Sequence, residues 1–190
     1  MSPNAPFMVR SWRDWQTSVP MLRITPVLLV ILACAFPPFA LADVPASAGA
    51  QVIEARILEL VNLARSRGHT CGAERFAPAA PLSLSRPLRS AARGHARDMA
   101  LHGYFEHRAR DGSEPQERVR RTGYRARLTG ENIAFGPESA EEVVAGWLAS
   151  PGHCANLMDA RFRDMGVAVA AGRKRGHWYW VQNLANPARN

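Results

Sequence analysis

The apolar positions change period along the chain, and the changes mark out the elements. From Ala50 to Ser66 the residues Ile53, Ile57, Leu60, Val61 and Ala64 keep helical spacing, and Gly68 supplies a stop. The stretch His69 to Pro81 has no period and reads as irregular. A second helix is expected from Ser85, with Pro87 in its first turn. Leu88, Ala91, Ala92, His95 and Met99 form its apolar stripe, and Gly103 ends it. After a polar turn at Asp111-Gly112-Ser113, Ser113-Glu114-Pro115-Gln116 has the form of a capping box, opening a short helix through Val119 that stops at Gly123. Leu128 to Phe135 is extended. Ser139-Ala140-Glu141-Glu142 is a second capping box, starting a helix with Val143, Val144, Trp147 and Leu148 inward and Pro151-Gly152 as its end.

Near the C-terminus the period shortens to that of strands. Met165 to Ala170 and His177 to Leu184 flank the turn Gly172 to Gly176 and predict a hairpin. Helices come early and a hairpin late, so the class is α+β with segregated layers. No internal repeat or low-complexity block interrupts this plan. One domain is expected over residues 50–190, entered by a short flexible linker of small residues at 43–49.

Composition adds little to the fold and more to the setting. Of 190 residues, 47% are hydrophobic and 21% charged, which is ordinary for a globular chain. The net charge of +8 comes almost wholly from arginine, because Lys174 is the only lysine. The arginines are scattered, as in Arg65/Arg67, Arg118/Arg120/Arg121 and Arg173/Arg175, without a run of interleaved aromatics. That pattern reads as a basic solvated surface rather than a nucleic-acid partner.

A leader stands before the domain. Met21-Leu-Arg begins a positive region, Val27 to Phe36 is an apolar core, and Ala40-Leu41-Ala42 precedes Asp43. This is the plan of a secretory signal peptide over residues 21–42, with residues 1–20 an over-extended start. The apolar core is short and interrupted by proline, so no transmembrane span is expected in the mature chain. Lipid anchoring at Cys34 is the weaker alternative. Location outside the cytoplasm, secreted or periplasmic, follows.

Removing the leader leaves Cys71 and Cys154 of the three cysteines. Two cysteines in an exported monomer favour a disulfide, which would be worth about 4–5 kcal/mol for so long a loop. A zinc site using both thiolates is the rival, disfavoured because neither cysteine has a C-x-x-C partner.

Four motifs then stand in order: Phe105-x-His107, Gly130-Glu131-Asn132-Ile133-Ala134, Trp147-x-x-Ser150-Pro151-Gly152-His153, and the Trp-rich closing strand. Together they resemble the CAP superfamily of cysteine-rich secretory proteins, antigen 5 and plant pathogenesis-related proteins, in its bacterial exported branch. The resemblance covers about residues 53–185. It implies a three-layer α-β-α sandwich with a small antiparallel sheet. It also implies a cleft in which His107 and His153 match the family's two histidines and Glu131 its first glutamate. The second glutamate falls at Ser150 here, so a mechanism needing two carboxylates loses one.

Two neutral imidazoles make a zinc or copper half-site, and a carboxylate nearby can orient one ring. Two readings stay open for Glu131: a member of the site, or a scaffold carboxylate that holds loop backbone. His95 reads as a packed core residue, and His102 as a helix-end group. A Ser150–His153 nucleophile lacks the G-x-S-x-G elbow. The leading function is a non-enzymatic, exported binding module, a monomer whose cleft takes a divalent metal such as Zn2+ or a lipid, sterol or cell-wall glycan ligand. The alternatives are a metal-dependent hydrolase using His107, His153 and Glu131, and a purely structural envelope protein.

Overall fold

A computed structural model of the protein describes residues 46–188. The expected leader, the residues before it and Cys34 lie outside that range. The elements run α1 (Ala46–Arg67), β1 (His69–Cys71), β2 (Glu74–Phe76), β3 (Ser83–Leu84), α2 (Arg86–His102), α3 (Pro115–Arg121), β4 (Ala126–Phe135), α4 (Ala140–Ala149), α5 (Pro151–Met158), β5 (Asp164–Ala171) and β6 (Trp178–Pro187).

The caps explain most of the boundaries. Ser85 accepts a hydrogen bond from Leu88 N, and Gly103 ends α2 in the left-handed conformation with its N–H on the Met99 carbonyl. Ser139 accepts from Glu142 N at the start of α4. Other expectations change. The first helix starts at Ala46 rather than Ala50, because helix-favouring alanines carry it into the small-residue stretch. The Ser113 capping box does not form. The Ser113 hydroxyl donates instead to Asp111 Oδ1, and Glu114 takes the cap position without a side-chain bond. Pro151-Gly152 does not lead into a loop either. Ser150 is an extended joint between α4 and α5, and Pro151 occupies the first turn of α5, where its missing N–H leaves no bond unmade.

The main sheet has the order β3-β5-β6-β4. Both β4–β6 and β5–β6 are antiparallel, whereas two-residue β3 pairs in parallel with Asp164 and Met165. The sheet is therefore antiparallel in its three long strands and mixed at its edge. His69 to Pro81 also contains order that the pattern did not show, since β1 and β2 form a short hairpin around Gly72.

Helices cover both faces of the sheet. On one side Ile57, Val61, Val143, Val144, Trp147 and Leu157 of α1, α4 and α5 bury Met165, Val167, Trp180 and Leu184. On the other, Ala92, Ala96 and Met99 of α2 meet Ile133, Tyr179 and Val181. This α-β-α sandwich explains why the aromatic run of β6 is not a surface platform: Tyr179 and Trp180 point to opposite faces, and both are buried. Small residues on α2 and Gly166 on β5 let helix and sheet touch backbone to backbone. A Cβ at Gly166 would lie 2.0 Å from Arg89 N and 2.4 Å from Leu88 C. Gly166→Ala is therefore expected to cost about 3 kcal/mol or more, read as a lower midpoint in urea unfolding.

Two further ties span the sandwich. Cys71 and Cys154 are joined in a disulfide across 83 positions, clipping the β1–β2 hairpin to α5. Arg65, expected on the surface, is fully buried and donates to the carbonyls of Ala80, Leu157, Asp159 and Phe162. Those segments have no regular partners for their carbonyls, and one guanidinium fork satisfies four of them.

Candidate functional site

Glu131 sits mid-strand in β4, opposite Asn183 of β6, on the face that α2 covers. A carboxylate placed there must be paired or neutral. It is paired on both oxygens. Arg118 Nη2 donates to Oε2 at 2.7 Å, and His107 Nδ1 lies 2.8 Å from Oε1. The Glu131 side chain is only 1% exposed and that of Arg118 9%, while His107 is half exposed at 49%. The Asn183 amide, oriented to satisfy both its ends, adds a third donor at 3.3 Å from Oε2 and accepts from Ala92 N at 3.0 Å.

Arg118 reaches the site from α3. Its Nη1 donates to the Ser113 carbonyl at 2.7 Å, which fixes the loop carrying His107 against the helix. Of the basic cluster at 118–121, Arg120 and Arg121 turn outward to Glu117 and Asp111, and only Arg118 turns in. The spacing of three similar arginines holds no signal for which one is buried. Glu131 is thus both scaffold and site member: it anchors a helix and aims an imidazole. With Nδ1 on the carboxylate, the Nε2 edge of His107 has no protein partner among the described residues.

His153 lies in the first turn of α5, not in a loop. Its carbonyl accepts from Asn132 Nδ2 at 3.2 Å. Asn132 is fully buried and also donates to Gln182 Oε1 at 3.1 Å. Asn156 Nδ2 donates to Asn132 Oδ1 at 2.9 Å and to the Glu131 carbonyl at 3.3 Å. This amide network locks α5 to β4 and so fixes His153 relative to Glu131. Its sequence signal was present in the polar pairs Glu131-Asn132 and Gln182-Asn183, set inside apolar strands. Burial, and after it the charge of His107, hold the His153 ring below the ordinary imidazole pKa. His153 is therefore a neutral imidazole at neutral pH and lies within electrostatic reach of His107.

The remaining candidates separate cleanly. His95 is buried, with Nε2 on the Glu106 carbonyl at 2.8 Å, and burial followed by the Arg118 charge lowers its pKa. It is a core histidine behind the site. His102 pairs with Asp98 at 2.9 Å rather than with a helix end alone. Ser150 makes no side-chain cap bond, and neither carboxylate of the preceding helix replaces the one absent there: Glu141 bonds Arg56, and Glu142 accepts from Glu138 N. Phe105 and Phe135 lie exposed beside the His107 loop, with ring centroids 6.1 Å apart.

The donor set defines what the site can hold. Among the described residues no three His, Cys, Asp or Glu side chains are grouped to bind a metal ion. Both Glu131 oxygens are already engaged, and both cysteines are in the disulfide. At this site the metal-binding groups left over among the described residues are the ring nitrogens of His107 and His153. They do not fit a catalytic zinc centre with three protein ligands.

Residues 58–184 match the model of the cysteine-rich secretory protein family, CAP. The uncharacterized protein YkwD of Bacillus subtilis (strain 168) is 31% identical over 114 residues, which are 60% of this chain and 41% of that one. The chain thus spans about two fifths of that relative. A crystal structure of an extracellular protein containing an SCP domain from Bacillus anthracis is 26% identical, with a TM-score of 0.61 over 74% of this chain and 42% of the other. An outer surface protein from Borrelia burgdorferi, at 20% identity, shares the fold with a TM-score of 0.58 over 73% of this chain and 92% of its own.

Proposed function

Because this chain belongs to the cysteine-rich secretory protein (CAP) family, we propose that it works outside the cytoplasm as a non-enzymatic binding module, engaging its ligand through His107 and His153. The disulfide and the extracellular setting of the Bacillus anthracis relative support the location. No helix among the described residues is long and apolar enough to cross a membrane.

The observation that carries the reading is the state of Glu131. A general base must have a free lone pair facing the substrate or its water. Glu131 is buried and spends both oxygens on Arg118 and His107. The hydrolase alternative loses its base, and Ser150 supplies no second carboxylate. What remains is a half-exposed, carboxylate-backed imidazole and, in α5, a second, neutral one. Such a pair recognises a divalent ion, which would offer Lewis acidity to an oxygen-rich ligand, or it bonds hydroxyl groups of a cell-wall glycan directly.

Titration of the exported chain with Zn2+ alone tests the first mode. A Kd on the order of 10–100 µM is expected, lost in His107→Ala and His153→Ala and weakened about tenfold in Glu131→Gln. Peptidoglycan fragments added with and without Zn2+ test the second, and binding in either arm must fall in both histidine variants. Ligand binding indifferent to both histidines would remove the cleft from the function. Zinc-dependent hydrolysis of an ester or peptide that fails in Glu131→Gln would overturn the non-enzymatic reading.

A further inference from the structure

Among the described residues, the edge of the sheet opposite β4 has no partner strand beyond Met165. β3 covers only Asp164 and Met165 of β5 before the chain turns into α2, although β5 continues to Ala171. Two backbone bonds establish which groups face outward. Met165 O accepts from Ser85 N on the β3 side, whereas Gly172 N donates inward to His177 O on the hairpin side. Along a strand these directions alternate, so the N–H and C=O of Val167 and Val169 point away from β6. Among the described residues no backbone or side chain pairs with them.

These groups are not simply facing solvent. Val167 and Val169 line a cavity of about 240 Å³ between the first turns of α1 and the outer face of α2. Arg86, Arg89 and Arg93 stand along its α2 wall. Arg89 is paired with the buried Glu54 at 2.6 Å, while Arg86 and Arg93 have no partner among the described residues. The groove therefore combines an unsatisfied strand edge, an apolar floor and a net positive rim.

We infer that β5 is a docking edge for an extended acidic segment of a partner protein, which adds as a strand beyond β3. Strand addition draws affinity from main-chain bonds and specificity from alternate side chains. Here Val169, half-buried at the edge, supplies the main-chain bonds, whereas Val167 is only 3% exposed. The arginines select carboxylates on the alternating residues that face α2. A second copy of this chain is the wrong occupant, since it would bring the same arginines and a net charge of +8 to the edge. The inference is independent of the histidine cleft.

The probe is a fluorescein-labelled decapeptide alternating valine and glutamate, followed by anisotropy on the exported chain. Binding with a Kd on the order of 10 µM at low salt is expected, together with a decline as salt rises. Val169→Pro removes an outward N–H without touching the β5–β6 ladder, so the fold is retained and binding falls at least about tenfold. Ala168→Pro, whose N–H faces β6, is the internal control and lowers Tm instead. Arg86→Glu with Arg93→Glu transfers preference to a valine–lysine peptide and leaves His107-dependent zinc binding unchanged. No binding by the wild type overturns the inference. So does binding that survives Val169→Pro but not the arginine changes, which is adsorption to charge alone. Concentration-dependent dimerisation abolished by Val169→Pro would give the edge to a second copy and overturn the acidic partner.

Discussion

Arg118→Met is expected to destabilise the protein by about 3–5 kcal/mol, the usual cost of removing one partner from a buried ion pair. The size of the effect comes from what is left behind. Glu131, with its side chain 1% exposed, would keep only His107 and Asn183 as donors, and its charge would have no fixed cation. The loop at Ser113 would also lose its hold on α3. Urea unfolding measures the loss. The double variant Arg118→Met with Glu131→Leu should recover most of it, because the two changes together leave no buried charge unpaired. Full loss in the double variant would mean that packing of the arginine stem, not charge, stabilises this corner. The single variant should also blunt zinc binding at His107, since the carboxylate that orients the ring would no longer be held.

Cys71→Ser is expected to cost a similar amount. Closing a loop across 83 positions constrains the unfolded chain by about 4–5 kcal/mol in the entropy model. The bridge also anchors a hairpin of six paired residues that has little apolar surface of its own. For a domain of this size that corresponds to a fall in Tm on the order of 10–15 °C. Wild type with reductant and Cys71→Ser without it should melt together, which separates loss of the cross-link from any strain of substitution. The effect bears on function through α5. Cys154 directly follows His153, so the bridge and the Asn132–Gln182–Asn156 network hold the same turn from two sides. Loosening one side should enlarge the loss caused by breaking the other, as in Cys71→Ser combined with Asn156→Ala.

The arginine row on α2 and the open β5 edge place a second interaction surface on a face separate from the histidines. The two sets of variants, His107/His153 and Val169/Arg86/Arg93, report on them independently.

Much of this molecule is written locally. Ser85, Gly103 and Ser139 mark helix ends because the bonds they make lie within one turn, and the alternation in β5 and β6 marks strands because side chains on a strand alternate by geometry. The four motifs point to the family and, through it, to His107, Glu131 and His153, of which the structure pairs His107 with Glu131. The pair Cys71–Cys154 is the one expected once the leader read from the sequence is set aside, and the structure forms it. Other features depend on groups far apart in sequence, and local pattern is blind to them. Arg65 is buried because carbonyls more than ninety positions away need donors, and Arg118, not Arg120 or Arg121, is buried because Glu131 lies beneath it. Whether Pro151 ends a helix or begins one was decided by Asn132 and Asn156 fastening α5 to β4. Glu131 shows the division most clearly. Its motif placed it at the site, but only the folded arrangement, with a guanidinium on one oxygen and an imidazole on the other, turned a candidate base into the support for His107. A single sequence carries the identity of a charge; its protonation, burial and role depend on which distant charge the fold sets against it.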